Sequence, residues 1–119
     1  GYMRTGDLTY PKDTKVNFVI NFSKWEEGDD LSGMVFALCI DTRATPPNDY
    51  SFDGESTNLY LNNEKLSEQK WEFAQGSNNK QIRLKNEVEL KKTDTVKIST
   101  TIKVVENPTQ SFALVAAKM

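Results

Sequence analysis

Seven consecutive apolar residues, Met34-Val35-Phe36-Ala37-Leu38-Cys39-Ile40, stand between Gly33 and Asp41 and form the longest apolar run in the chain. A helical bilayer span needs about 20 such residues, so this run is too short to cross a membrane. A short apolar run bounded by turn residues reads as a strand buried on both faces, or as a buried helix segment. The neighbouring stretches decide for the strand. From Lys15 to Phe22 the residues alternate: Val16, Phe18, Ile20 and Phe22 share one face, and Lys15, Asn17 and Asn21 the other, with Val19 an apolar exception. From Thr95 to Val105 the alternation is clearest, with Val96, Ile98, Thr100, Ile102 and Val104 on one face and Lys97, Ser99, Thr101 and Lys103 on the other. A period of two over such lengths is the mark of a half-buried strand.

The rest of the chain fits the same class. Short strands are expected at Asn58 to Leu61, Trp71 to Ala74, Gln81 to Leu84 and Ser111 to Ala117, separated by turn formers such as Asn62-Asn63 and Gly76-Ser77-Asn78-Asn79. Glu87 to Lys92 could form one helical turn, too short to stand alone. Asp41 to Thr57 has little pattern and holds Pro46-Pro47, Asn48-Asp49 and Asp53-Gly54, so it reads as a long surface loop. Many short strands without a long helix predict an all-β fold, an antiparallel β-sandwich. Residues 1–14 read as an N-terminal arm or a first strand, and residues 15–119 as one sandwich domain, in keeping with the length of 119 residues. The opening Gly1-Tyr2-Met3 reads as a processed start, or as added residues before a native Met3.

Composition narrows the chemistry. There are no histidines, which removes Ser-His-Asp and Cys-His catalysis and histidine-ligated zinc. A net charge of −2 argues against a nucleic-acid binder, which usually carries a basic face. The single cysteine, Cys39, allows no internal disulfide and lies in the apolar run, where it reads as an inert structural thiol. This usage fits a reducing compartment, so a cytoplasmic location is expected, with an extracellular one the alternative.

Two groups of side chains could bind a ligand. Trp25 and Trp71 with Tyr50, Phe52 and Tyr60 could stack against a sugar, although aromatics in a small domain are more often packing. Acids fall in two patches, Glu26, Glu27, Asp29, Asp30 and then Asp41, Asp49, Asp53, Glu55, which default to a solvated surface. Trp25, Tyr50 and Asp53 are the ligand-binding candidates. No pair of carboxylates stands out for glycoside hydrolysis, and no enzymatic activity is expected.

Three stretches resemble the tellurium-resistance TerD family, which includes cAMP-binding and stress-response proteins. Asp30-Leu31-Ser32-Gly33-Met34-Val35-Phe36 is similar to that family's Asp-Leu-Asp-Ala-Ser-apolar-Phe strand. Leu59-Tyr60-Leu61-Asn62-Asn63 is similar to its Phe-Tyr-Asn-Asn strand end, and Asn78-Asn79-Lys80-Gln81-Ile82-Arg83-Leu84 to its Asp-Asp-Glu-Gln stretch. Thr101-Ile102, Glu106, Gln110-Ser111-Phe112 and Val115 follow in the family's order. The resemblance implies a β-sandwich that binds Ca2+ through loop aspartates, without enzymatic activity, in stress-response assemblies. It places the metal candidates at Asp30, Asn78 and Asn79. Ser32 and the two asparagines stand where the family has carboxylates, so calcium binding is expected to be weak or lost, since affinity follows ligand charge.

Two classes of function follow. One is a non-enzymatic binding or assembly domain of the TerD-like kind. The other is an extracellular ligand-binding or structural module, such as a carbohydrate-binding domain or virion subunit. Ser111 to Ala117 is apolar on both faces, and in the resembling family more chain follows it. It is therefore expected to be an edge that pairs with Asp7 to Tyr10 or with another subunit, with Phe112, Leu114 and Val115 as interface residues. Self-association or a protein partner is expected, and no nucleic acid or membrane span.

Overall fold

In the computed structural model, residues 1–9, 13–39, 50–104 and 111–118 are described. The strands are β1 (Tyr2–Arg4), β2 (Leu8–Thr9), β3 (Lys15–Asn21), β4 (Met34–Cys39), β5 (Tyr50–Phe52), β6 (Asn58–Leu61), β7 (Glu64–Lys65), β8 (Trp71–Phe73), β9 (Gln81–Leu84), β10 (Thr95–Val104) and β11 (Ser111–Lys118). One sheet has the order β1-β11-β4-β9-β8, with β2 in line with β1 along β11. The other has the order β3-β10-β6-β7, with β5 in line with β6 along β10. Every pairing is antiparallel, so the expected all-β sandwich-like fold is the fold observed.

The alternation in the sequence becomes the two inner faces. Val16, Phe18 and Ile20 of β3 and Val96 and Ile98 of β10 point inward from one sheet. Phe36 and Leu38 of β4 and Phe112 and Leu114 of β11 meet them from the other. Across the seam Phe18 and Phe112 have ring centroids 6.3 Å apart, and Phe22 and Phe36 6.4 Å. Such aromatic pairs add to what area burial alone provides.

β4 is buried at all six positions, as its unbroken apolar run predicts. Its strand ends at Cys39, and Ile40 lies outside the described residues. β11 is buried from Phe112 to Ala116 for the same reason. β11 was expected to be an edge paired with Asp7 to Tyr10 or with another subunit; it is instead an inner strand, with β4 on one side and β1 and β2 on the other, and Leu8–Thr9 supplies the first of those two alternatives. The covering segment runs from Tyr2 to Thr9, further back than the expected Asp7 to Tyr10, of which Tyr10 lies outside the described residues. Thr5 continues the pairing, its N–H donating to the Leu114 carbonyl at 2.9 Å. The register then shifts, because Leu8 stands opposite Phe112, leaving Gly6 and Asp7 together opposite Ala113. That two-against-one count is a β-bulge, which glycine accommodates readily.

Glu87 to Lys92 forms no helix but a pair of tight turns, closed by Val88 N–H to the Lys85 carbonyl and Asp94 N–H to the Lys91 carbonyl. Val88 and Leu90 drop into the core between them. Among the described residues no helix is long and apolar enough to cross a membrane.

Candidate functional site

The three metal candidates do not come together. Asp30 lies just before β4, at the end where Met34 pairs with Lys118. Asn78 and Asn79 lie before β9, at the opposite end, where the Leu38 N–H donates to the Lys80 carbonyl at 3.3 Å. Most of β4 separates them, on the order of 13 Å of strand rise. Asp30 is also already engaged. Its carboxylate accepts from the Ser32 hydroxyl at 2.7 Å and the Ser32 N–H at 3.0 Å, and lies 3.2 Å from Lys118 Nζ. The Ser32 contacts first, then Lys118, hold its carboxyl down at about 2. Asn78 and Asn79 have φ of 53° and 60°, a left-handed turn that asparagine tolerates better than most residues. Their presence is explained by that turn. Among the described residues no three acidic, cysteine or histidine side chains gather where they could hold a metal ion. The described residues therefore do not fit a calcium site of the kind the resemblance implies. Asp41 and Asp49 of the acidic patch lie outside the described residues.

The ligand-binding candidates are likewise dispersed or covered. Trp25 is 4% exposed, with its indole N–H donating to the Glu27 carbonyl at 2.9 Å. Tyr50 is 1% exposed, its ring set edge-on to Phe112 at 5.4 Å. Neither presents a ring face to a sugar, so the stacking expectation is corrected for both. Both are packing residues, since both rings belong to the buried core cluster. Asp53 does reach the surface. Burial alone would raise its carboxyl, but Ser56, the Glu55 N–H and Lys103 together outweigh it and hold it below the usual range. The Phe52 N–H donates to the Asn79 carbonyl at 2.8 Å, so Asp53 and the Asn78-Asn79 turn are neighbours at one end of the sandwich. They bring a single carboxylate to that end.

Cys39 is fully buried, and burial pushes its thiol above the ordinary value, although Arg4 beside it pulls the other way. It packs with Ala113 and Val115 in a small second cluster on the outer side of the six-stranded sheet. Reaction with a thiol reagent then requires the protein to open. For a domain of ordinary stability, labelling in native buffer should be slower than in denaturant by about a thousandfold or more. Comparable rates in the two conditions would show that β4 is not closed over the thiol.

Phe112, Leu114 and Val115, the expected interface residues, are 2%, 1% and 4% exposed. They have almost no surface to offer a partner: Phe112 and Leu114 point into the core, Val115 packs with Cys39 and Ala113, and β1, β2 and β4 take up the strand's backbone. The open backbone lies elsewhere. Sheet edges expose unpaired N–H and C=O groups, and proteins blunt them with shortness, charge, bulges or proline. The β1–β2 edge carries the bulge at Gly6 and Asp7. β7 is two residues long and both are charged. β8 has three residues, and its Glu72 is ion-paired with Arg83 of β9. β3 has seven residues, contains neither proline nor glycine, and is charged only at Lys15.

The bonding parity of β3 follows from its register. The Phe22 N–H donates to the Asp94 carbonyl at 3.4 Å, and the register places Ile20, Phe18 and Val16 opposite Val96, Ile98 and Thr100. In an antiparallel ladder bonded pairs alternate. The even-numbered residues thus bond to β10, and Lys15, Asn17, Val19 and Asn21 direct their N–H and C=O groups away from it. No described strand pairs with that side. The same four side chains lie on the outer face and are exposed, Val19 by 55%. Next along that row, Lys97 sits over the Tyr60 ring at 4.4 Å, the register being Val19, Lys97, Tyr60, Lys65. Sequence reasoning found the two faces of β3 but not its edge. The one available signal was the apolar Val19 on an otherwise polar face.

Compared with protein families, with curated proteins and with solved structures, the chain matches none.

Proposed function

We propose that this chain is a non-enzymatic binding and assembly domain that accepts an extended polypeptide at the open edge of β3. The TerD-like resemblance belongs to this reading as a divergent case in which the sandwich serves assembly and calcium binding is weak or lost. One observation carries it. β3 is the longest edge strand described, and of the edges named above it is the least blunted, its one charge being Lys15 at the first position. In strand addition, backbone bonds supply affinity and alternate side chains supply selectivity. The four outward residues of β3 offer such a template, with Val19 and Asn17 at its centre.

The test is a titration of the isotope-labelled protein with a synthetic peptide of residues 15–21, followed by nuclear magnetic resonance. Saturable shifts should appear at the outward amides of Asn17, Val19 and Asn21. The inward amides of Phe18 and Ile20, already bonded to β10, should keep their slow exchange. Absence of any shift at millimolar peptide would overturn the reading.

A further inference from the structure

We infer that the partner of the β3 edge is a second copy of this chain, joined by a two-fold axis through Phe18 so that the five-stranded sheet continues across the dimer. The inference rests on the reading of β3 as a strand-accepting edge. An antiparallel pair of identical strands must be centred on one residue, and only certain centres work. Centred on Phe18, Lys15 faces Asn21 of the other copy, and Asn17 faces Val19. All four outward residues then fall in bonded pairs. Moving the axis to Asn17 or Val19 leaves one of the four outside the ladder.

The side chains agree with that register. No like charges face each other across the seam, because Lys15 is the only charged residue of β3 and meets an asparagine. In a chain with net charge −2, Lys15 arrives at the strand end that leads into Glu26, Glu27, Asp29 and Asp30 of the other copy. Each exposed Val19 gains the aliphatic stem of the opposing Asn17. The two-fold gives a closed, isologous contact, so it ends at a dimer and removes the edge instead of propagating it.

Sedimentation of the unchanged protein over rising concentration should show a monomer passing to a dimer and no further. Two double variants test the register without touching the core, since both positions point to solvent. Asn17→Lys with Val19→Lys sets ammonium groups against each other twice across the axis and should weaken the dimer about tenfold. Asn17→Lys with Val19→Glu makes the same two contacts attractive and should restore it. Val19→Pro removes an N–H that β10 does not use and should abolish the dimer while the fold persists. A protein that stays monomeric at millimolar concentration overturns this inference. If peptide 15–21 nevertheless binds, the edge accepts a strand and the occupant is another protein. A dimer equally tight in the Lys/Lys and Lys/Glu variants would also overturn the register.

Discussion

Phe112→Ala should destabilise the domain by about 4 kcal/mol, the usual cost of emptying a buried aromatic site. For a chain of this length that is a fall of roughly 15 °C in melting temperature. The ring lies at the meeting point of the two sheets. Tyr50 of β5 approaches it edge-on at 5.4 Å and Phe18 of β3 at 6.3 Å. Phe112 itself is 2% exposed, so its loss leaves a cavity that three strands border. Removing Phe18 as well should cost less than the two single changes added together, because the two rings share one space. The oligomeric state should be unchanged wherever the variant remains folded. A melting temperature within a few degrees of the unchanged protein, or a dimer lost without loss of stability, would return Phe112 to the surface role that the sequence suggested.

Phe112 is a core residue because β11 is an inner strand. β4 and β11 carry the same signal, apolar residues on both faces, and both are inner strands. The rule that placed Met34 to Ile40 in the middle applies equally to Ser111 to Ala117. The alternation in β3 and β10 was legible because half of each strand meets the core and half meets water. β5 was hidden because Tyr50-Ser51-Phe52 is three residues long and sits among turn formers. β7 was invisible, since Glu64 and Lys65 are strand only through their pairing with Leu61 and Tyr60. Which side of a strand is left unpaired depends on the order of strands in space. A period of two gives the faces and says nothing of the edges.

The candidate site shows the same division. Asp30, Asn78 and Asn79 each sit in a turn, as turn chemistry predicts, and that local role was readable. Their separation was not, because β4 and β9 run antiparallel and carry the two turns to opposite ends. Asp53 and Asn79 do become neighbours, through a backbone bond from Phe52 that no residue pattern encodes.

Gly33→Val should lower stability by about 3 kcal/mol, mainly through the backbone. Gly33 has φ of +71° at the point where the chain turns from the Asp30-Ser32 contacts into β4. A side chain in that left-handed region costs about 1–2 kcal/mol, and a β-branched one more. The space is also tight: a Cβ would stand 2.7 Å from Asn86 Oδ1. Asn86 is exposed and its amide can swing aside, so the clash is the smaller part. The two contributions separate in a cycle with Asn86→Ala. That change should recover well under half of the loss in Gly33→Val. Gly33→Asn should cost less than valine, because asparagine visits the left-handed region more readily. If Asn86→Ala restores full stability, the strain is steric and not conformational. If Gly33→Val is neutral, Met34 does not depend on this turn to enter register with Lys118, and the start of the central strand is set elsewhere.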